Sequence, residues 1–175
     1  MLLLYPFRFV LHLQTMIPTP EEKEQLYKLS LKQVEEIIKD ESDPVALLAS
    51  TVCILKGNLP QAFWVGFYRV DPQKPEELVI GPYQGTFGCL RIPLGKGVCG
   101  RCAEERQTVI VPDVEEFPGH IACDSRSKSE IVLPVFDHAG QLYAVLDLDS
   151  TLLNAWSLED RRGLEQIVAA LKEKL

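Results

Sequence analysis

The sequence lacks three features that would each point to a class of protein: a membrane-spanning apolar run, an excess of basic residues and an even set of cysteines. Its most apolar stretch, residues 1–16, is interrupted by Pro6, Arg8 and His12, and a bilayer requires roughly 20 apolar residues. The formal net charge is −7 and the pI is about 5.0. This balance argues against nucleic acid or an anionic membrane as a partner, so we expect a small molecule or another protein.

The N-terminal stretch also lacks the parts of a secretory signal. No basic region precedes its apolar residues, and no A-x-A-like cleavage site follows them. Met16 opens a sequence of more ordinary polarity, so we interpret residues 1–15 as an upstream extension or a wrongly assigned start and expect residues 1–18 to be loosely ordered. Residues 19–175 contain no repeat, low-complexity segment or linker and are expected to form a single domain.

The five cysteines stand at positions 53, 89, 99, 102 and 123, and an odd number cannot pair completely within one chain. A secreted disulfide-stabilised domain would be shorter and richer in cysteine, so we expect a reducing, cytoplasmic location. Cys53 lies in an apolar helical segment and is expected to be a small core residue. The other four are concentrated in polar, glycine-rich surroundings, which indicates redox chemistry or a metal site.

Hydrophobic periodicity predicts helices at both ends of the domain and strands between them. Helix-start signals occur at Thr19-Pro20, Asp43-Pro44 and Ser157. A further short helix is predicted at 98–106, strands at 61–70, 76–85, 87–95, 108–114, 129–137 and 141–150, a loop at 115–128 and a hairpin turn at 138–140. This order predicts an α+β domain of three layers, with a central, mostly antiparallel sheet flanked by helices.

Cys99 and Cys102 form a C-x-x-C motif at the start of the short helix. A thioredoxin-type site is disfavoured because the motif follows three strands instead of opening a βαβ unit. A zinc site could use the four clustered cysteines, with His120 as a spare ligand, but a second C-x-x-C is missing. Cys99 itself lies in the first helical turn, where the helix dipole is expected to lower the pKa of a thiol.

Cys123 lies in the loop "FPGHIACDSRSKSE" (117–130), beside Asp124 and near the basic residues Arg126 and Lys128. A cysteine in a polar loop near cations is a candidate thiolate nucleophile. An exposed cysteine without any role fits the same local features. Local features alone leave both interpretations open.

The motif "VLDLDS" places Asp147 and Asp149 on one face of a strand, because side chains alternate along it. Glu130 opens the partner strand of the hairpin, so three carboxylates are expected close together, unless this face is simply solvated. Such a cluster can bind an ammonium group, and mutual repulsion can keep one carboxyl protonated near neutral pH. A protonated acid beside a thiolate suits sulfoxide reduction, in which a sulfenic acid forms and a second thiol, Cys89 or Cys99, resolves it to a disulfide.

Trp64 and Tyr68 share one face of the strand at 61–70. Aromatic core packing is the commonest explanation of such a pair. The alternative is a wall for a ligand's small apolar group, with the tyrosine hydroxyl as a polar contact.

Taken in order, "FWVGFY", "LVIGPYQG", "RIPLGKGVCG", "DVEEFPGHIACDSRSKSEIVLPV" and "AVLDLDS" resemble the GAF-domain free methionine-(R)-sulfoxide reductases. The resemblance extends from about residue 20 to residue 172. It implies that Cys123 is the nucleophile, that Cys89 forms a disulfide with it, and that Cys99 assists in resolving it or in passing electrons.

The resemblance also implies a substrate pocket with the acidic residues Glu130, Asp147 and Asp149 and the aromatic residues Trp64 and Tyr68. Thioredoxin or another dithiol is the expected reductant, no metal or other cofactor is expected, and family members are typically dimers. The predicted activity is reduction of free L-methionine (R)-sulfoxide to L-methionine. The alternative is a non-enzymatic GAF sensor for a small amino-acid-like ligand.

Two cysteines depart from the family pattern. Neither Cys53 nor Cys102 is among the three cysteines that the pattern requires, so the C-x-x-C motif is attributed to composition. An extra resolving role for Cys102 is the alternative.

Overall fold

Residues 17–175 fold into an antiparallel sheet between helices, as described by a computed structural model. Its elements are α1 (Pro20–Ile38), α2 (Pro44–Asn58), β1 (Trp64–Asp71), β2 (Lys74–Gln84), β3 (Arg91–Pro93), α3 (Gly97–Glu105), β4 (Val109–Val111), β5 (Ser129–Phe136), β6 (Leu142–Ser150) and α4 (Leu158–Leu171), with short 3₁₀ turns at Val114–Glu116 and Lys172–Lys174. Most of the predicted N-terminal extension, residues 1–16, lies outside the described residues. Within residues 17–175, no helix is long and apolar enough to cross a membrane.

The sheet has the strand order β3-β2-β1-β6-β5-β4, and each neighbouring pair is antiparallel. Helices α1, α2 and α4 cover one face, where side chains such as Phe67 and Leu146 are buried. Helix α3 and the long loops cover the other face, where Trp64, Tyr68 and Val145 are buried. Adjacent residues of one strand thus enter two separate cores, as the period of a strand requires. The predicted three-layer α+β architecture is confirmed.

The predicted helix starts are confirmed by their caps. The Thr19 hydroxyl accepts the backbone N–H of Glu22, whose carboxylate in turn accepts the N–H of Thr19 at 2.8 Å. The Asp43 carboxylate accepts the N–H of Ala46 at 2.8 Å. These bonds satisfy N–H groups that have no partner within the first helical turn.

A buried polar network fastens α1 to α4. The Lys23 ammonium forms an ion pair with Asp160, and Tyr27 donates its hydroxyl to the same carboxylate at 2.8 Å. Gly163 lies against the Tyr27 ring, where a Cβ would overlap it. A charge pair this deeply buried is tolerated because additional donors satisfy the carboxylate.

Two sequence predictions about local structure are wrong. Of the predicted strand 87–95, only Arg91–Pro93 forms a strand, paired with β2, and the residues before it form a loop that exposes Phe87 and Leu90. Cys53 is exposed and not in the core. Helix α2 buries the stripe through Leu48, Val52 and Leu55, which directs residue 53 toward the other side of the helix.

Candidate active site

Three carboxylates meet on the face of the sheet that α3 covers. In the strand register, Asp149 lies opposite both Glu130 on β5 and Trp64 on β1, and Asp147 lies opposite Gly66. Glu130 and Asp147 are each 5% exposed, and Asp149 is partly exposed. The structure thus brings the three acids together in a largely buried position and does not leave this face solvated.

Burial raises the pKa of all three carboxyl groups. The pKa values of Glu130 and Asp147 lie well above the usual range, first because of burial and then because of repulsion from Asp149. Burial raises the pKa of Asp149 to about 6, against the lowering effect of a hydrogen bond from Ser127. The raised pKa values favour the protonated forms of Glu130 and Asp147, whereas Asp149, with a pKa of about 6, is mostly a carboxylate at neutral pH.

Trp64, Tyr68 and Tyr83 form an aromatic wall beside the acids. The Trp64 ring stacks on Tyr68 with centroids 5.9 Å apart and on Tyr83 with centroids 5.5 Å apart. A Cβ on Gly66 would overlap the Trp64 ring, so glycine at this position lets the indole lie across the strand. Burial and neighbouring negative charge raise the pKa of the Tyr68 hydroxyl, which remains neutral.

Cys89 and Cys123 are joined by a disulfide, with their Cα atoms 5.2 Å apart. They lie in two loops that close over the carboxylates. A second link joins the loops, because the Thr86 hydroxyl donates to Asp124. Trp64 anchors the first loop by donating its Nε1–H to the Thr86 carbonyl at 2.9 Å. The pairing implied by the family resemblance is the one that the structure contains.

Cys99 projects from the first turn of α3 toward the acids. Its thiol donates to Glu130, with Sγ and Oε1 3.9 Å apart. The expected lowering of its pKa is wrong: burial raises the pKa well above the usual value, and the neighbouring acidic groups of Asp147 and Glu130 raise it further. Removal of water disfavours the thiolate more than the helix dipole favours it.

The four clustered cysteines do not form the zinc site that was considered from the sequence. The disulfide occupies Cys89 and Cys123, two of its four cysteine ligands. A different set, the Cys99 sulfur with one oxygen each of Glu130 and Asp147, has its ligand-type atoms within 4.8 Å of one another. These atoms could hold a metal ion, and hydrogen bonding among the same three groups also accounts for their proximity.

Two further polar residues reach the acids from the loop that carries Cys123. His120 Nε2 lies 3.6 Å from Glu130 Oε2, and burial lowers the pKa of this imidazole, opposed by Asp149. Ser127 hydrogen-bonds to Asp149. From the sequence, His120 was predicted only as a spare zinc ligand, and Ser127 was not predicted to have a role. The signal in the sequence that could have identified both residues as part of the site is their position within the segment "GHIACDSRSK", which carries the family resemblance.

The cavity enclosed by these groups is small, about 30 Å³. It is lined by Trp64, Tyr68, Phe87, Gly88, Ile92, Gly97, Val98, Cys99, His120, Ile121, Cys123, Asp124, Ser127, Glu130, Asp147 and Asp149. Small-molecule sites usually measure about 300–1,000 Å³. In its disulfide form the site therefore has room for water but not for an amino acid.

Comparison with known proteins supplies the class. Residues 43–172 match the model of the GAF domain, so the chain belongs to the GAF domain family.

Its relatives narrow the class further. The chain is 40% identical to the free methionine-R-sulfoxide reductase of Escherichia coli, over 87% of this chain and 90% of that protein. It is similar to the free methionine-R-sulfoxide reductase of Neisseria meningitidis, solved in complex with its substrate, with a TM-score of 0.83, 44% identity and coverage of 87% and 89% of the two chains. The reduced form of fRMsr of Staphylococcus aureus gives a TM-score of 0.80, 43% identity and coverage of 85% and 94%. The resemblance inferred from the motifs is confirmed.

Proposed function

We propose that this chain reduces free L-methionine (R)-sulfoxide to L-methionine, with Cys123 as the nucleophile. The observation that carries the proposal is the cavity itself, where a cluster of buried carboxyls faces the Cys89–Cys123 disulfide and the aromatic wall. Relatives of 40% and 44% identity are named for this activity. The non-enzymatic sensor is the weaker candidate, since a sensor needs neither a disulfide beside the cavity nor a cluster of buried acids.

Recognition of the substrate as a free amino acid follows from the charges. Asp149 is mostly ionised at neutral pH and can pair with an α-ammonium group, whereas a peptide presents an uncharged amide nitrogen. Asp147 Oδ1 is buried and has no hydrogen-bond partner among the described residues, so a ligand donor or acceptor can satisfy it. The methyl group and side chain of the substrate pack against the Trp64 indole.

The chemistry requires a nucleophile at the sulfur of the sulfoxide and a proton source at its oxygen. The Cys123 thiolate attacks the sulfur, and the oxygen is transferred to Cys123 as a sulfenic acid while methionine leaves. Protons come from Glu130 or Asp147, whose raised pKa values favour the protonated form. Attack by a second thiol then forms a disulfide and releases the oxygen as water.

Cys89 is the resolving thiol in this proposal, because it is the partner of Cys123 in the disulfide, and Cys99 assists from the carboxylate side. Both disulfide cysteines are partly exposed, so an external dithiol such as thioredoxin can reach them. We further propose a cytoplasmic location, since turnover depends on continuous reduction, and a homodimer as the assembly. The chemistry assigned to these residues calls for no metal or other cofactor.

The experiment compares four substrates at saturating dithiothreitol, with methionine formation measured by chromatography. These are free methionine (R)-sulfoxide, free methionine (S)-sulfoxide, N-acetylmethionine (R)-sulfoxide and a peptide that contains methionine (R)-sulfoxide. The acetylated compound is the matched control, because it keeps the (R)-sulfoxide side chain and the carboxylate but has an uncharged amide in place of the ammonium group. We expect turnover of the free (R) form alone.

Equal turnover of the N-acetyl compound would contradict recognition through Asp149. Absence of turnover with all four compounds would contradict the proposed reaction. The Asp149→Asn variant tests the same contact from the protein side, and we expect its KM for the free (R) form to rise.

A further inference from the structure

Helix α3 carries two cysteines, Cys99 and Cys102, and the proposed reaction uses only Cys99. Cys99 and Cys102 are 3% and 0% exposed, and both belong to the core that contains Trp64 and Tyr68. Both remain free thiols while Cys89 and Cys123 are joined. The same chain thus contains one disulfide and, next to the cavity, one unoxidised thiol pair.

The helix places the two thiols within reach of each other. Residues three apart in an α-helix lie on the same face, and their Cα atoms are about 5 Å apart for a rise of 1.5 Å per residue. Disulfides form at Cα separations of about 4.4–6.8 Å. Cys99 also lines the cavity to which Cys123 contributes, whereas Cys102 is not among the residues that line it, so Cys99 is the thiol of the pair that shares a cavity with the disulfide.

Complete burial restricts what Cys102 can react with. No external protein or large reagent can reach a side chain that is 0% exposed. A redox role for Cys102 must therefore be intramolecular, and among the described residues Cys99 is the cysteine that shares its helix.

We propose that Cys99 and Cys102 form a second dithiol, which returns two electrons to the Cys89–Cys123 disulfide. A fully reduced chain would then reduce two sulfoxide molecules before it needs an external reductant. This inference rests on the proposed function, because the sulfoxide is the oxidant for both turnovers.

The exchange balances without any further reagent. Cys99 attacks the Cys123 sulfur, which breaks the Cys89–Cys123 bond and releases Cys89 as a thiol. Cys102 then attacks the Cys99 sulfur of the mixed disulfide, which forms the Cys99–Cys102 bond and releases Cys123 as a thiol. The thiol protons of Cys99 and Cys102 finish on Cys89 and Cys123.

The surroundings of Cys99 provide for the proton transfer. The Glu130 carboxyl lies 3.9 Å from its sulfur, and a carboxylate left after proton donation to the substrate can accept the thiol proton. Excess sulfoxide drives the exchange forward, because it oxidises Cys123 each time this thiol is released. The transfer therefore need not be favourable at equilibrium.

The test is the stoichiometry of methionine formed per chain by fully reduced protein, freed of dithiothreitol and mixed with excess free methionine (R)-sulfoxide. We expect two equivalents from the unaltered protein and two from Cys53→Ala, the control in which an exposed cysteine is removed. We expect one equivalent from Cys102→Ala. Peptide mapping of the unaltered protein under non-reducing conditions should show a Cys99–Cys102 disulfide beside Cys89–Cys123.

The outcomes separate this inference from the proposed function. One equivalent from the unaltered protein would leave the reductase intact and overturn the second dithiol. Two equivalents from both the unaltered protein and Cys102→Ala would also overturn it. No methionine from any form would overturn the proposed function and this inference together. The peptide map needs no variant, so misfolding of Cys102→Ala would not remove the test.

Discussion

Replacement of Asp149 by asparagine should stabilise the protein at neutral pH while impairing the proposed reaction. The carboxyl has a pKa of about 6 in the folded protein against a reference value of 3.8. Folding therefore favours the protonated form. The stability that the Asp149 carboxyl contributes is therefore fully present below about pH 4 and is lost as the pH rises through about 6.

The size of the effect follows from the same two values. They differ by about 2, and each pKa unit corresponds to about 1.4 kcal/mol, so the ionised carboxylate lowers the free energy of unfolding above pH 7 by at most about 3 kcal/mol. Asparagine has nearly the same shape and retains a carbonyl oxygen for the Ser127 hydroxyl, but carries no charge. The variant should thus gain up to this amount at pH 8 and almost nothing at pH 4.

The assay is urea unfolding of the disulfide form between pH 4 and pH 8, with the free energy of unfolding extrapolated to zero urea. The exposed residue Asp40 provides the control, since Asp40→Asn should change the free energy by less than about 0.5 kcal/mol at each pH. A stability difference between Asp149→Asn and the unaltered protein that does not grow with pH would refute the reasoning. So would greater stability of the unaltered protein at pH 8.

Three further predictions concern packing, the buried ion pair and access to the cavity. Gly66→Ala should lower the free energy of unfolding by about 1–3 kcal/mol, because the added Cβ would overlap the aromatic wall. Gly57→Ala, at a position with open space around it, should leave the stability unchanged or raise it slightly. Thermal unfolding of the two variants measures the difference. Lys23→Met should lower the free energy of unfolding by about 3–5 kcal/mol, because the Asp160 carboxylate would stay buried without its cation. Lys28→Met breaks an exposed pair and should lower it by less than about 1 kcal/mol. Equal losses of stability in urea unfolding would contradict this account. Titration calorimetry should detect L-methionine binding to the reduced protein but not to the disulfide form, whose cavity measures about 30 Å³, and equal binding to both would show that the cavity opens without reduction.

The parts of the site that lie on regular strands could be predicted from the sequence. Alternation along β6 placed Asp147 and Asp149 on one face, and the hairpin brought Glu130 opposite Asp149. The same period placed Trp64 and Tyr68 on one face of β1, where their rings stack. These relations depend on a period of two and on one tight turn, and both are local properties of the chain.

The parts that depend on loop closure or burial could not be predicted from the residues alone. The contact of His120 with Glu130 requires a loop to fold back over the sheet. The high pKa of Cys99 depends on burial beneath that loop, whereas its position in the helix alone suggested a low one. The exposure of Cys53 depends on which face of α2 packs against the sheet. Because α2 has apolar residues on several faces, its sequence does not specify which face is buried.

The measurement that tests the central claim most directly is turnover of free methionine (R)-sulfoxide by Cys123→Ser and Cys53→Ser, side by side at saturating dithiothreitol. Serine replaces the thiol with a hydroxyl that cannot form a sulfenic acid or a disulfide, and Cys53 is exposed and unpaired in the described structure. We predict that Cys123→Ser forms no methionine above the rate without enzyme, while Cys53→Ser retains the full rate. Full turnover by Cys123→Ser would contradict the account, because the sulfoxide would then be reduced without the proposed nucleophile.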